Sequence, residues 1–206
     1  MKYILLLSCI ISNSIITSAQ NSGFKYTPFG MEVPFERGYC ITHSGIKLEG
    51  YIAPVCGSYS SDLGSNYIMF VLLNGDTKKQ KLTTKDVKTF VAGKDSFAII
   101  KSFSTTMGGY YNQDFARVVK SGSLNLYLHC HPKNSGFEYL YYVRKSGTLY
   151  RLKRGEFKDR AGFILGDDPE LMEKLKKKQL NFDNLEQIIE EYNARKKLQG
   201  MVKAEE

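Results

Sequence analysis

From Gly38 to Arg154 no apolar run survives long enough to make a helix. The runs GYCITH (38–43), IKLEGYIA (46–53), NYIMFVLL (66–73), VKTFVA (87–92), SFAIIKSF (96–103), DFARVVK (114–120), SLNLYLHC (123–130), FEYLYYVR (137–144) and TLYRLKR (148–154) each stop at turn-forming residues. His43-Ser44-Gly45, Lys120-Ser121-Gly122, Asn134-Ser135-Gly136 and Lys145-Ser146-Gly147 stand between such runs. Each offers a glycine where a tight turn needs positive φ. Asn74-Gly75 is a further hairpin signal. NYIMFVLL is apolar throughout, as expected of a central strand, and TKKQKLT (77–83) is polar enough for an edge. Connections this short join antiparallel neighbours.

Beyond Gly155 the period changes. Glu156–Leu165 has room for a short helix. Asp167-Asp168-Pro169-Glu170 is a helix start, with an Asp cap, proline in the first turn and a following acid. Asp183-Asn184-Leu185-Glu186 reads as a capping-box variant, and Leu185, Ile188, Ile189 and Tyr192 then share one stripe. The expected fold is α+β. An antiparallel β-rich body, a meander or partly open barrel of about ten strands over residues 38–155, is followed by a helical tail of two to three helices over 156–199. Residues 20–37 are an N-terminal extension and 200–206 a disordered end.

The first residues, MKYILLLSCIISNSIITSAQ, carry one lysine, an apolar run and small residues at Thr17 and Ala19. This is the pattern of a secretory signal peptide over residues 1–19. Leu6-Leu7-Ser8-Cys9 also offers a lipidation signal, after a very short apolar run. The expected location is therefore the periplasm or outer membrane, or the outside of the cell, and no transmembrane helix is expected after cleavage.

Export sets the redox question. Cys40, Cys56 and Cys130 remain after the leader, an odd number that argues against a disulfide-framed scaffold. Cys40–Cys56 is the pairing expected first, with buried free thiols as the alternative.

Candidates for chemistry are few. In Tyr127-Leu128-His129-Cys130-His131-Pro132, strand alternation sends Leu124, Leu126, Leu128 and Cys130 to one face and Asn125, Tyr127, His129 and His131 to the other. Cys130 is expected to be buried, and His129 and His131 to face solvent. Two imidazoles at this spacing can hold one metal ion, but zinc needs a third ligand and usually a fourth. No GxSxG, Walker, GxGxxG or EF-hand pattern occurs, so neither a catalytic set nor a cofactor is expected. The loop Thr105–Asn112 (TTMGGYYN) has the composition of a flexible ligand-touching segment.

The strongest cluster is basic and aromatic. Arg144, Lys145, Tyr150, Arg151, Lys153 and Arg154 fall on one predicted hairpin, in a chain of net charge +8. In an exported protein the polyanions such a hairpin meets are envelope lipids, glycans and acidic proteins, not nucleic acid. The expected function is non-enzymatic binding of another envelope protein or an anionic lipid or glycan. Two alternatives stand beside it: a metal-dependent or other enzyme with a site around His129 and His131, and a small outer-membrane β-barrel, which must close on its last strand.

Five segments together resemble an uncharacterised group of secreted and envelope proteins of Bacteroidota. They are the leader ending Ser18-Ala19-Gln20, GIKLEGYI (45–52), ARVVKSGSLNLY (116–127), YYVRKSGTLYRL (141–152) and the tail DDPELMEKLKKKQLNFDNLEQIIEEYN (167–193). The resemblance implies export and a β body with helices. It implies no activity and no site residue.

Overall fold

The computed structural model describes residues 25–26, 32–57, 64–73, 78–105, 109–133 and 136–202. The signal-peptide segment, Cys9, the Asn74-Gly75 turn, the middle of the Thr105–Asn112 loop and residues 203–206 lie outside them. Among the described residues twelve strands are followed by three α-helices, and the strands begin earlier than expected, since the first two and the start of the third fall within residues 20–37. The strands are β1 (Lys25–Tyr26), β2 (Val33–Pro34), β3 (Glu36–Thr42), β4 (Lys47–Cys56), β5 (Asn66–Leu72), β6 (Gln80–Leu82), β7 (Val87–Ala92), β8 (Asp95–Ser104), β9 (Tyr110–Lys120), β10 (Leu124–Lys133), β11 (Gly136–Lys145) and β12 (Thr148–Leu152). The helices are α1 (Phe157–Leu165), α2 (Pro169–Lys176) and α3 (Leu185–Val202). None is long and apolar enough to cross a membrane.

Strands β3 to β12 form one antiparallel sheet in the order β12-β11-β10-β9-β8-β7-β3-β4-β5-β6, and its two end strands are not paired with each other. β1 and β2 pair separately. The sheet is open but bent twice. At one bend the ends of β4 and β5 come over β9 and β10, where Cys56 reaches Cys130 and Asn66 reaches Asp114. At the other, β12 and β11 approach β8: the Tyr142 hydroxyl donates to the Ser104 carbonyl at 2.8 Å. Small residues help the strands coil. Gly38 on β3 lies opposite both Gly50 on β4 and Ala92 on β7, and a Cβ at Gly38 would strike the Val91 carbonyl.

The bends define separate cores. Cys40, Ile52, Ile68, Phe70, Phe90 and Phe115 fill the first. Ile100, Phe103, Tyr111, Tyr127, Leu140 and Tyr142 fill the second. β5 is apolar on both faces for a local reason. Ile68 and Phe70 enter the first core, while Met69 and Val71 meet Val33 and Phe35 on the back. It has neighbours on both sides, but beyond it lies only the three-residue edge strand β6.

The helical tail covers the face of β10–β12 that carries Leu124, Leu126, Val143 and Leu152, using Phe157, Ile164, Leu171, Leu185, Ile188, Ile189 and Tyr192. Full burial of one such side chain stabilises by about 1.5–3 kcal/mol, against about 0–1 for an exposed ion pair, so apolar packing dominates this docking. α2 starts as expected: Asp168 accepts from the Leu171 amide and proline follows it. α3 differs. Its cap is Asn181, which accepts from the Asp183 amide while the Asn181 amide donates to Asn184, and a 3-10 turn Phe182–Asn184 leads into the helix. Asp183 instead pairs with Arg154. α3 also runs through Gly200, past the end expected there.

Candidate functional site

Where β5 begins, six donors close on one fully buried carboxylate. Asp114 Oδ2 accepts from the Ser65 amide and hydroxyl, both at 2.9 Å, from Asn66 Nδ2 at 3.3 Å and from His129 Nε2 at 2.8 Å. Oδ1 accepts from the amides of Asn66 at 3.0 Å and Phe115 at 2.8 Å. Gly64 makes this approach possible. Its φ is +77°, and a Cβ there would land on the Asp114 carboxylate. Because His129 Nε2 donates to Asp114, Nδ1 is the other ring nitrogen, and it is buried without a hydrogen-bond partner among the described residues; so is Asn66 Oδ1.

Beyond His129 the second core is aromatic. Ser102 takes a left-handed φ of 55°, and past it Phe103 enters this core, whereas Phe97 and Ile99 on the same strand pack into the first. Phe103 stacks on Tyr111 and meets His129 edge-on at 5.0 Å. The Tyr111 hydroxyl and His131 Nδ1 are 3.0 Å apart.

Strand alternation therefore places the two histidines together, but the expectation that they face solvent is corrected. His129 is fully buried and His131 nearly so, because the bend of the sheet wraps β8, β9 and β11 around their face. Burial, and then the neighbouring His129, lower the His131 pKa from its usual value. The two rings lie 6.4 Å apart between centroids, each with its own hydrogen-bond partner. Among the described residues no three His, Cys, Asp or Glu side chains converge as a metal-ligand set.

The expected Cys40–Cys56 bridge is also corrected. Cys56 is bonded to Cys130, and Cys40 is a buried free thiol. Register explains this. Cys40 lies opposite Leu48 on β4, eight residues from Cys56, or roughly 26 Å at about 3.3 Å per residue. Burial pushes the Cys40 thiol up to about 11. Cys130 is half-buried, and its carbonyl accepts from Asn66 Nδ2 at 3.0 Å.

The basic hairpin is largely engaged within the fold. Arg144 donates to the Tyr127 hydroxyl at 3.3 Å. Lys145 donates to the last-turn carbonyl of Ile164 in α1 at 2.7 Å and to Asp167 at 2.6 Å. Arg151 reaches the Ser104 carbonyl at 3.5 Å, and Lys153 pairs with Glu156 at 2.8 Å. Arg154 pairs with Asp183 over the Phe182 ring, and Tyr150 packs against the tail.

A cavity of about 510 Å³ opens between the ends of β4 and β5 and the strands β7 to β11. Directly paired residues share a face of a sheet, which puts Phe97, Arg117 and Leu128 side by side across β8, β9 and β10. Leu128 and Cys130 continue the row Leu124 and Leu126 that the helices cover, so the cavity floor is the part of that face beyond the helical tail. Phe90, Phe115 and Tyr139 add aromatic wall, and the Cys56–Cys130 bridge lines it as well. Asp114 and His129 are not part of this lining.

Comparisons with protein-family models, curated proteins and solved structures find no match.

None of Ser65, Asn66, Asp114 or Arg117 stands out in the sequence. Asp114 carries the only local signal, an acid beside the apolar pair Phe115-Ala116 in the middle of β9. The cavity has none, since its aromatic residues come from segments far apart in the chain.

Proposed function

We propose that this protein is a non-enzymatic binding protein of the exported cell envelope, and that its β body takes up an apolar or amphipathic small molecule in the cavity between β4–β5 and β7–β11. The cavity carries this reading. Its volume of about 510 Å³ lies within the range of small-molecule sites, about 300–1,000 Å³, and its lining is mainly aromatic and aliphatic. A bridge between Cys56 and Cys130 fits an oxidising compartment, in keeping with the leader pattern of residues 1–19. The basic hairpin contributes less in this reading, because its charges are already engaged, Lys145 and Arg154 with the helical tail and Arg144 and Arg151 within the β body.

The test is titration with Nile red, an uncharged dye that brightens in apolar surroundings. Wild type should bind it at one saturable site. Leu128→Trp, which fills the floor of the cavity, should lose most of that binding while keeping the circular dichroism spectrum of the wild type. Saturable binding left intact by Leu128→Trp would move the ligand elsewhere, and no saturable binding would remove the small-molecule reading.

A further inference from the structure

The ligand class can be narrowed by charge. Among the described residues Arg117 is the one charged group in the cavity lining. Its place is fixed by register, opposite Phe97 on β8 and Leu128 on β10, so its aliphatic stem crosses an apolar floor. Its Nη1 donates to Asp95 Oδ1 at 3.2 Å, and both side chains are more than a third exposed. A guanidinium has five N–H donors in a planar fork that matches a carboxylate. Asp95 engages the fork through one nitrogen, which leaves donors for an incoming anion. An exposed pair of this kind is also weak, so a ligand carboxylate sharing or replacing Asp95 meets little resistance. Cavity and cation together select a molecule with an apolar body and an anionic end. A purely apolar ligand would leave the arginine unused, and a small hydrophilic anion would leave the aromatic wall unused.

We infer that Arg117 anchors the headgroup of the bound molecule, and that the ligand class is a single-chain amphiphile ending in a carboxylate. The inference rests on the cavity reading above. The apolar chain lies against Phe97, Phe115 and Leu128, and the carboxylate sits at the guanidinium. Asp95 holds Arg117 in place while the cavity is empty.

The experiment displaces Nile red with dodecanoate and with dodecan-1-ol, which share a chain and differ in head charge. Wild type should prefer dodecanoate by about tenfold or more, the scale of one hydrogen bond to a charged group. That preference should shrink as salt is raised. In Arg117→Gln the two ligands should bind alike. In Asp95→Asn, which removes the internal counter-ion, the preference for dodecanoate should grow; this variant keeps the test alive if Arg117→Gln does not fold. Equal affinity for acid and alcohol in wild type, or a preference that survives Arg117→Gln, overturns the headgroup assignment and leaves the cavity reading standing. Failure of both chains to displace the dye from a saturable site likewise overturns the assignment alone. Absence of any saturable site overturns both.

Discussion

Asp114 shows how much one side chain can organise. Its carboxylate gathers the start of β5, the middle of β9 and a histidine of β10 at a point where no strand pairing joins β5 to β9. Every group aimed at it is a donor. Asp114→Asn places an amide NH₂ against some of those donors and leaves them unsatisfied in a site without water access. The expected loss is about 2–4 kcal/mol, since one or more buried donors lose their acceptor at about 1–3 kcal/mol each, read as a lower urea midpoint at unchanged slope. A loss under about 1 kcal/mol would mean that the donors find other partners on relaxation. The histidines next to it mark the limit of local reading. Alternation placed His129 and His131 on one face correctly, because the period of a strand is local. Their burial depends on Phe103, Tyr111 and Tyr142 arriving from three other strands, which no window around YLHCHP contains.

Among the elements, the helical tail was the most legible. Its stripe Leu185, Ile188, Ile189 and Tyr192 is buried as the helical period requires, and the Asp168 cap with Pro169 opens α2. The start of α3 is not fixed locally, because Asn181, Asp183 and Asn184 are all competent caps, and only the chain path selects Asn181. The basic hairpin was found as a cluster, but its partners were not visible: Lys145 secures α1 and Asp167, and Arg154 secures Asp183. Asp167 is the hub of this contact. Burial alone would raise its carboxyl, but hydrogen bonds from Lys145, Lys196 and Tyr192 outweigh this and hold it well below the usual carboxylate range. A group depressed in the folded state stabilises above its unfolded pKa, about 4, and that contribution fades as pH falls through and below this value. Asp167→Asn should therefore lower stability at pH 7 by more than at pH 3. Urea unfolding of both proteins at the two pH values checks this, and an equal loss at both would show that the charge of Asp167 does not hold the tail.

Across the whole molecule, the hairpin pairings are readable from turns, whereas the setting of β3 beside β7 and the bending are not. Ser-Gly turns and short runs specify an antiparallel meander, and the observed sheet follows chain order from β7 to β12 and from β3 to β6, with β3 set beside β7. Where such a sheet bends depends on contacts between strands far apart in sequence. The Cys56–Cys130 bridge is the covalent one. Outside it the first bend is held by the Asp114 cluster and by the packing of Ile52, Phe90 and Phe115, so the bond is not the sole closure. It joins residues 74 positions apart, and a loop of that length constrains the unfolded chain by about 4 kcal/mol in the chain-entropy account. Replacing both cysteines with serine should therefore lower stability by about 2–4 kcal/mol. It should also free the end of β4, which forms one wall of the cavity. Nile red affinity should then fall together with stability, whereas Asp95→Asn, beside Arg117 but outside the cavity lining, should leave the unfolding free energy within about 0.5 kcal/mol of wild type. If the double serine variant loses stability but keeps its dye affinity, the Asp114 cluster alone shapes the cavity, and the bridge acts only on the unfolded chain.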